Sequence, residues 1–104
     1  MNKASRPHDE TMVELLREDP AFLEEYLAAA LDEAGEIGGL QILLAILRQV
    51  AESQGMAAVA KRAGMPRERL YRTLSPNGNP TVKTLLAVLA TAGLRLDVRR
   101  AIAN

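Results

Sequence analysis

MAAVAKRAGMPRERLYRTL, residues 56–74, is the stretch whose reading decides the fold. Two short helical patterns meet at Gly64, with apolar residues at Val59, Met65, Leu70 and Leu74 and the small Ala60 four residues before the glycine. A small residue there lets two helices cross closely, and glycine takes the left-handed conformation of a sharp turn without a Cβ clash. This is the pattern of a helix-turn-helix. The second segment, residues 66–74, carries Arg67, Glu68, Arg69, Tyr71 and Arg72 outside its Leu70/Leu74 seam. A cationic, hydrogen-bonding face of that kind suits the base edges in a DNA major groove.

Towards the C-terminus, residues 75–80 (SPNGNP) form a loop of turn-favouring residues, and Thr81 is a natural N-cap. The helix after it spans residues 82–91, with Val82, Leu85, Leu86, Leu89 and Ala92 as its expected buried face, and Gly93 stops it. The period then changes. Leu94, Leu96 and Val98 alternate with Arg95, Asp97 and Arg99, which predicts a short strand. A lone strand is unstable, so it should pair with the N-terminal segment or with its own copy across a two-fold axis.

Towards the N-terminus, residues 40–54 form a helix with Leu40, Leu43, Leu44, Leu47, Val50 and Ala51 on the core face, ended by Gly55. Residues 35–39 (GEIGG) are a break. Before it, Asp19-Pro20 starts an amphipathic helix running to Gly35, with Leu23, Leu27, Ala30, Leu31 and Ala34 inward and Glu24, Glu25, Asp32 and Glu33 outward. Residues 9–17 predict a short helix, with a strand over 11–16 as the alternative, and residues 1–8 a frayed end.

The net charge is zero, yet residues 1–38 hold three basic against ten acidic residues and residues 39–104 hold ten basic against three acidic. The halves are therefore −7 and +7, which suggests two partners of opposite charge; mutual neutralisation within the fold is the plainer alternative. We expect residues 1–38 to be an acidic helical segment packed on a core of residues 39–104 as one domain. The absence of cysteine removes disulfide and thiolate chemistry and suits a reducing cytoplasm. Apolar runs are too short for a membrane span, and the N-terminus lacks the apolar stretch of a secretory signal. His8, the one histidine, stands in the end segment, and no phosphate-loop or nucleophile-elbow motif occurs. A non-enzyme without cofactor or metal is expected.

The stretch GMAAVAKRAGMPRERLYRTLSPNGNPTVKTLLAVLATAGLRL, residues 55–96, resembles the addiction module antidote family, the HigA-like antitoxins with a lambda-repressor-like (Xre-type) domain. Residues 70–89, LYRTLSPNGNPTVKTLLAVL, are the most specific part, and the acidic helix over 18–33 is similar as well. The resemblance implies an all-α bundle of about five to six helices around the helix-turn-helix, with the short C-terminal strand. It also implies an antitoxin of a type II toxin–antitoxin pair, a dimer that binds a palindromic operator in its own promoter and blocks a small basic RelE/ParE-like toxin. One position departs from the pattern: many such domains start the first short helix with Gln, where Met56 stands here, and nearby Gln54 is a potential substitute.

Roles follow from residue chemistry. Arginine forms two parallel hydrogen bonds to a guanine edge, so Arg67 and Arg72 are the expected base readers, with Glu68 on a cytosine amino group or paired with Arg72. Lys61, Arg62, Arg69, Tyr71, Asn77, Asn79, Thr81 and Lys83 are expected DNA-backbone contacts, the last four around a helix N-terminus. Glu24, Glu25, Asp32 and Glu33 are the expected toxin-facing carboxylates, and Leu94, Leu96 and Val98 the expected dimerisation residues. A solitary phage-type regulator, or a protein-interaction module without DNA binding, are the competing readings.

Overall fold

In the computed structural model the backbone of residues 5–102 is described, with side chains from residue 9 onwards; the side chain of His8 is outside that set. Among the described residues six helices follow in chain order: α1 (Ser5–Glu18), α2 (Pro20–Asp32), α3 (Gly39–Gln54), α4 (Met56–Ala63), α5 (Arg67–Thr73) and α6 (Val82–Thr91). No strand occurs among the described residues. The N-terminal segment is helical from Ser5, so the expected start at residue 9 is late and the strand alternative over 11–16 is wrong.

The third helix is the axis of the bundle. It packs on α1, α2, α4 and α6 at once, which requires more than one apolar face. Leu43, Leu44, Ile46, Leu47, Val50 and Ala51 are all buried along it. One continuous core then runs from Leu16 of α1 and Leu23 and Leu27 of α2 to Val59, Leu70, Leu74 and Val88 at the other end. Each fully buried leucine contributes roughly 1.5–3 kcal/mol, so the acidic N-terminal helices are held by the same apolar burial as the basic ones.

Polar pins add registry to this packing. The Tyr26 hydroxyl donates to Gln49 Oε1 at 2.7 Å, and Gln49 Nε2 donates to Asp9 Oδ1 at 2.7 Å, tying α2 to α3 and α3 to α1. Burial, and then the charge of Asp9, push the Tyr26 hydroxyl above its ordinary pKa. At the other end of α1, Arg17 Nε donates to the Ser53 carbonyl at 3.2 Å, one of the last-turn carbonyls of α3 that lack an intrahelical partner.

Local starts and stops follow the expected chemistry. Asp19 caps α2 by accepting from the Phe22 N–H at 3.0 Å, with Pro20 at the first helical position. Thr81 caps α6 by accepting from the Thr84 N–H at 3.2 Å. At the end of α6, Gly93 donates to the Ala90 carbonyl and Leu94 to the Leu89 carbonyl, the paired bonds of a Schellman stop.

Three further expectations fail. Leu40 is 58% exposed rather than core. The buried face of α6 is Thr84, Ala87, Val88 and Leu89, with Leu85 and Ala92 half-buried, while Val82 and Leu86 are exposed. The helix is turned because Thr84 sits inside at 1% exposure, its hydroxyl paired with Thr81 Oγ1 at 3.2 Å; a polarity pattern places a threonine outside. The tail of residues 94–102 forms no strand, since α1 is helical and offers it no edge. In its place Asp97 folds locally, accepting from Arg99 Nε at 3.0 Å and from the Val98 N–H at 2.9 Å, and those bonds hold its carboxyl below the usual range.

Candidate nucleic-acid interface

The chain turns sharply after α3. Gly55, at φ +99°, lets α4 leave α3 at 107°. Val59, Ala60 and Ala63 then seat α4 on the core, with Ala60 at 3% exposure where the following helix needs close approach. Gly64 ends α4 at φ +72°, donating to the Lys61 carbonyl at 3.1 Å while Met65 donates to the Ala60 carbonyl at 3.0 Å, again a Schellman stop. Pro66 precedes α5 in an extended conformation, and Leu70 and Leu74, at 0% and 1% exposure, anchor that helix.

The seam sets what α5 presents. At about 100° per residue, Arg72 lies roughly opposite the midline between Leu70 and Leu74, with Glu68 and Arg69 on either side of it. All three are exposed. Arg67 and Tyr71 fall instead on one flank, turned towards α1. The two expected base readers are thus separated, with Arg72 outward and Arg67 sideways. Among the described residues the ion pairs are Arg17–Glu14 at 3.8 Å and Arg99–Asp97 at 3.0 Å, so the cations of α4 and α5 face solvent, and Glu68 does not bridge to Arg72.

Around this face the structure gathers Lys61 and Arg62, exposed on α4, and the loop that links α5 to α6. Ser75 Oγ donates to the Arg72 carbonyl at 2.7 Å, and the Gly78 N–H donates to the Ser75 carbonyl at 2.8 Å. Gly78 is pressed against the backbone carbonyl of Thr73, leaving no room for a Cβ. The loop is therefore bolted to the end of α5, with Asn77, Asn79 and Thr81 exposed on it. Lys83 reaches back across the turn, its Nζ 3.3 Å from where a Cβ on Gly64 would stand. Ser75 and Gly78 are the positioning residues that side-chain chemistry alone passes over.

Met56 is core rather than contact. It is 6% exposed, and half-buried Gln54 spends one Nε2–H on Ser53 Oγ at 3.1 Å, which leaves its other N–H and its Oε1 as the polar groups at the start of α4.

On the flank of α5 lies a cleft of about 900 Å³, open to solvent and lined in part by Met56. Arg67 and Tyr71 line one wall, Glu10 and Glu14 of α1 the other, and Arg48 and Glu52 of α3 the space between. Burial raises the Glu52 carboxyl above its ordinary pKa, with Arg48 opposing and Asp9 adding to the rise. A folded pKa above the unfolded value means that the native state binds the extra proton, so this group lowers stability as pH climbs from about 4.5 through the raised value. Glu52→Gln is therefore expected to gain stability relative to the parent at pH 7 and to lose that gain near pH 4, as urea unfolding at the two pH values will read.

The remaining expected residues lie away from α5. Glu24, Glu25, Asp32 and Glu33 are exposed along α2. Leu94 packs against the core, while Leu96 and Val98 stand out at 43% and 94% exposure.

Such a compact all-helical chain, with two short helices displaying an unpaired cationic face, defines a broad class. The family follows from comparison: residues 6–100 match the family described as "Probable addiction module antidote protein", and the chain belongs to it. It is also 32% identical over 77 residues to an uncharacterized protein of Haemophilus influenzae strain Rd, covering 74% of this chain and 79% of that one. No solved structure matches the chain.

Proposed function

We propose that this chain is the antitoxin of a type II toxin–antitoxin system and also a dimeric, sequence-specific DNA-binding autorepressor. The observation that carries the DNA reading is the outward, unpaired Arg72 between Glu68 and Arg69 on α5. In this reading α4 and α5 are a lambda-repressor-like helix-turn-helix. Arg72 reads a base edge with Glu68 beside it, Arg67 reaches a base from the flank of the same helix, and Lys61, Arg62, Arg69, Tyr71, Asn77, Asn79, Thr81 and Lys83 hold phosphates. The exposed carboxylates Glu24, Glu25, Asp32 and Glu33 of α2 face a small basic toxin, for which membership of an antidote family is the support. Leu96 and Val98, with Leu94 as their anchor, pair two copies through the tail, which supplies the partner that residues 94–99 lack in one chain.

A gel shift against the DNA upstream of its own gene tests the reading. Specific retardation of a short palindrome, with half-sites about one DNA turn apart, is the expected result. The absence of any retardation at low salt sinks the DNA half and leaves a protein-interaction module. One observation favours that second reading: the apolar Met56 is buried at the start of α4, where the resemblance leads one to expect a polar contact.

A further inference from the structure

We propose that Glu10 and Glu14 of α1 set an electrostatic ceiling on DNA affinity, acting across the cleft on the flank of α5. The inference rests on the DNA reading above and adds to it a pair of residues from the other end of the chain. Glu10 and Glu14 share with Arg67 and Tyr71 a space of about 900 Å³. If compact, that is ~12 Å across, beyond the Debye length of about 8 Å at physiological salt but well inside the roughly 30 Å of 0.01 M salt. With Arg67 and Tyr71 among the groups that meet the duplex, phosphates held on this flank of α5 face these carboxylates across the cleft, within electrostatic reach at low salt.

Of the cations that line the cleft, Arg67 stands on the α5 wall itself, and the two near the carboxylates, Arg17 and Arg48, are engaged elsewhere. Arg17 directs its Nε to the Ser53 carbonyl and meets Glu14 at 3.8 Å in a solvent-exposed pair, a geometry that contributes little. Glu10 has no ion pair among the described residues. Arg48 lies beside Glu52 and opposes the rise in its pKa. The α1 wall of the cleft thus keeps its negative charge. Glu10 and Glu14 touch no base in this arrangement, so their repulsion weakens operator and random duplex alike. They are affinity-setting residues, distinct from the base reader Arg72.

The test is fluorescence anisotropy on the full chain, with a duplex from its own upstream region and a scrambled duplex, over a range of salt concentrations. Glu10→Gln/Glu14→Gln is expected to bind both duplexes about three- to tenfold more tightly at low salt, with the gap closing as salt rises and the selectivity ratio unchanged. Glu18→Gln/Glu36→Gln removes the same charge from exposed positions that do not line the cleft, and is expected to change affinity less than twofold. Unchanged affinity of the cleft variant, tightening on the upstream duplex alone, or equal tightening by the control pair each overturns the inference while leaving the DNA reading intact. Failure of the parent chain to bind either duplex overturns the DNA reading itself, and the inference with it.

Discussion

Arg72→Ala is expected to remove the discrimination between operator and random duplex, costing about 10- to 100-fold in operator affinity with little change on random DNA. A bidentate arginine–guanine pair is worth about 1–3 kcal/mol of discrimination, and Arg72 is the α5 cation pointing most directly away from the Leu70/Leu74 seam. Its side chain is exposed and unpaired, so the fold should be unaffected to within about 0.5 kcal/mol. Lys61→Ala is the contrast: binding to both duplexes weakens alike, and the log–log salt dependence flattens by about 0.9, the share of one lysine neutralising one phosphate. Competition binding with the two duplexes measures both. An Arg72→Ala protein with undiminished operator selectivity would contradict the assignment of base reading to the outer face of α5.

Gly78→Ala is the second large effect, on stability. An alanine Cβ at this position meets the backbone carbonyl of Thr73, and the Arg72 carbonyl lies 2.9 Å away. Backbone cannot swing aside as a side-chain tip can, so either α5 frays or the loop lifts. Overpacking of this kind costs about 1–3 kcal/mol, which in a chain of this size lowers the melting temperature by something like 5–20 °C. Gly35→Ala is the matched control, since a Cβ there meets nothing within 4 Å and is expected to change stability by less than about 0.5 kcal/mol. Equal melting temperatures for the two variants would mean that the loop of residues 75–80 does not rest on α5.

The helices were legible because their signals are local. Asp19-Pro20, Thr81, Gly64 and Gly93 act on backbone groups within a few residues of themselves, and each does in the structure what its chemistry predicts. The inward faces of α2 and α3 were legible for a similar reason: Leu23, Leu27, Leu43, Leu47 and Val50 repeat at helical spacing and are buried. The inward face of α6 was misread because burial there is decided by what packs on it. Thr84 is buried with its hydroxyl against that of the cap Thr81, and Val82 and Leu86 lie outside although they are as apolar as the buried Val88 and Leu89.

The candidate site divides along the same line. Sequence alone placed the cations of residues 61–72 on two short helices around a glycine turn, because periodicity and turn chemistry are properties of neighbouring residues. It could not turn Arg67 towards α1, since periodicity about the Leu70/Leu74 seam sets Arg72 and Arg67 apart but does not say what lies on the flank. Nor could it bring Glu10 and Glu14 to the flank of α5, because only the packing of α1 on α3 closes the distance between residues more than fifty positions apart. The alternating tail shows the reverse limit. Its period of two is a local signal, but a strand exists only when a second strand supplies hydrogen bonds, and within one chain the N-terminal segment is already taken up as helix α1. What the residues decided among themselves is where helices start, stop and turn; which faces meet, and which charges look at each other across a cleft, was decided by the tertiary structure.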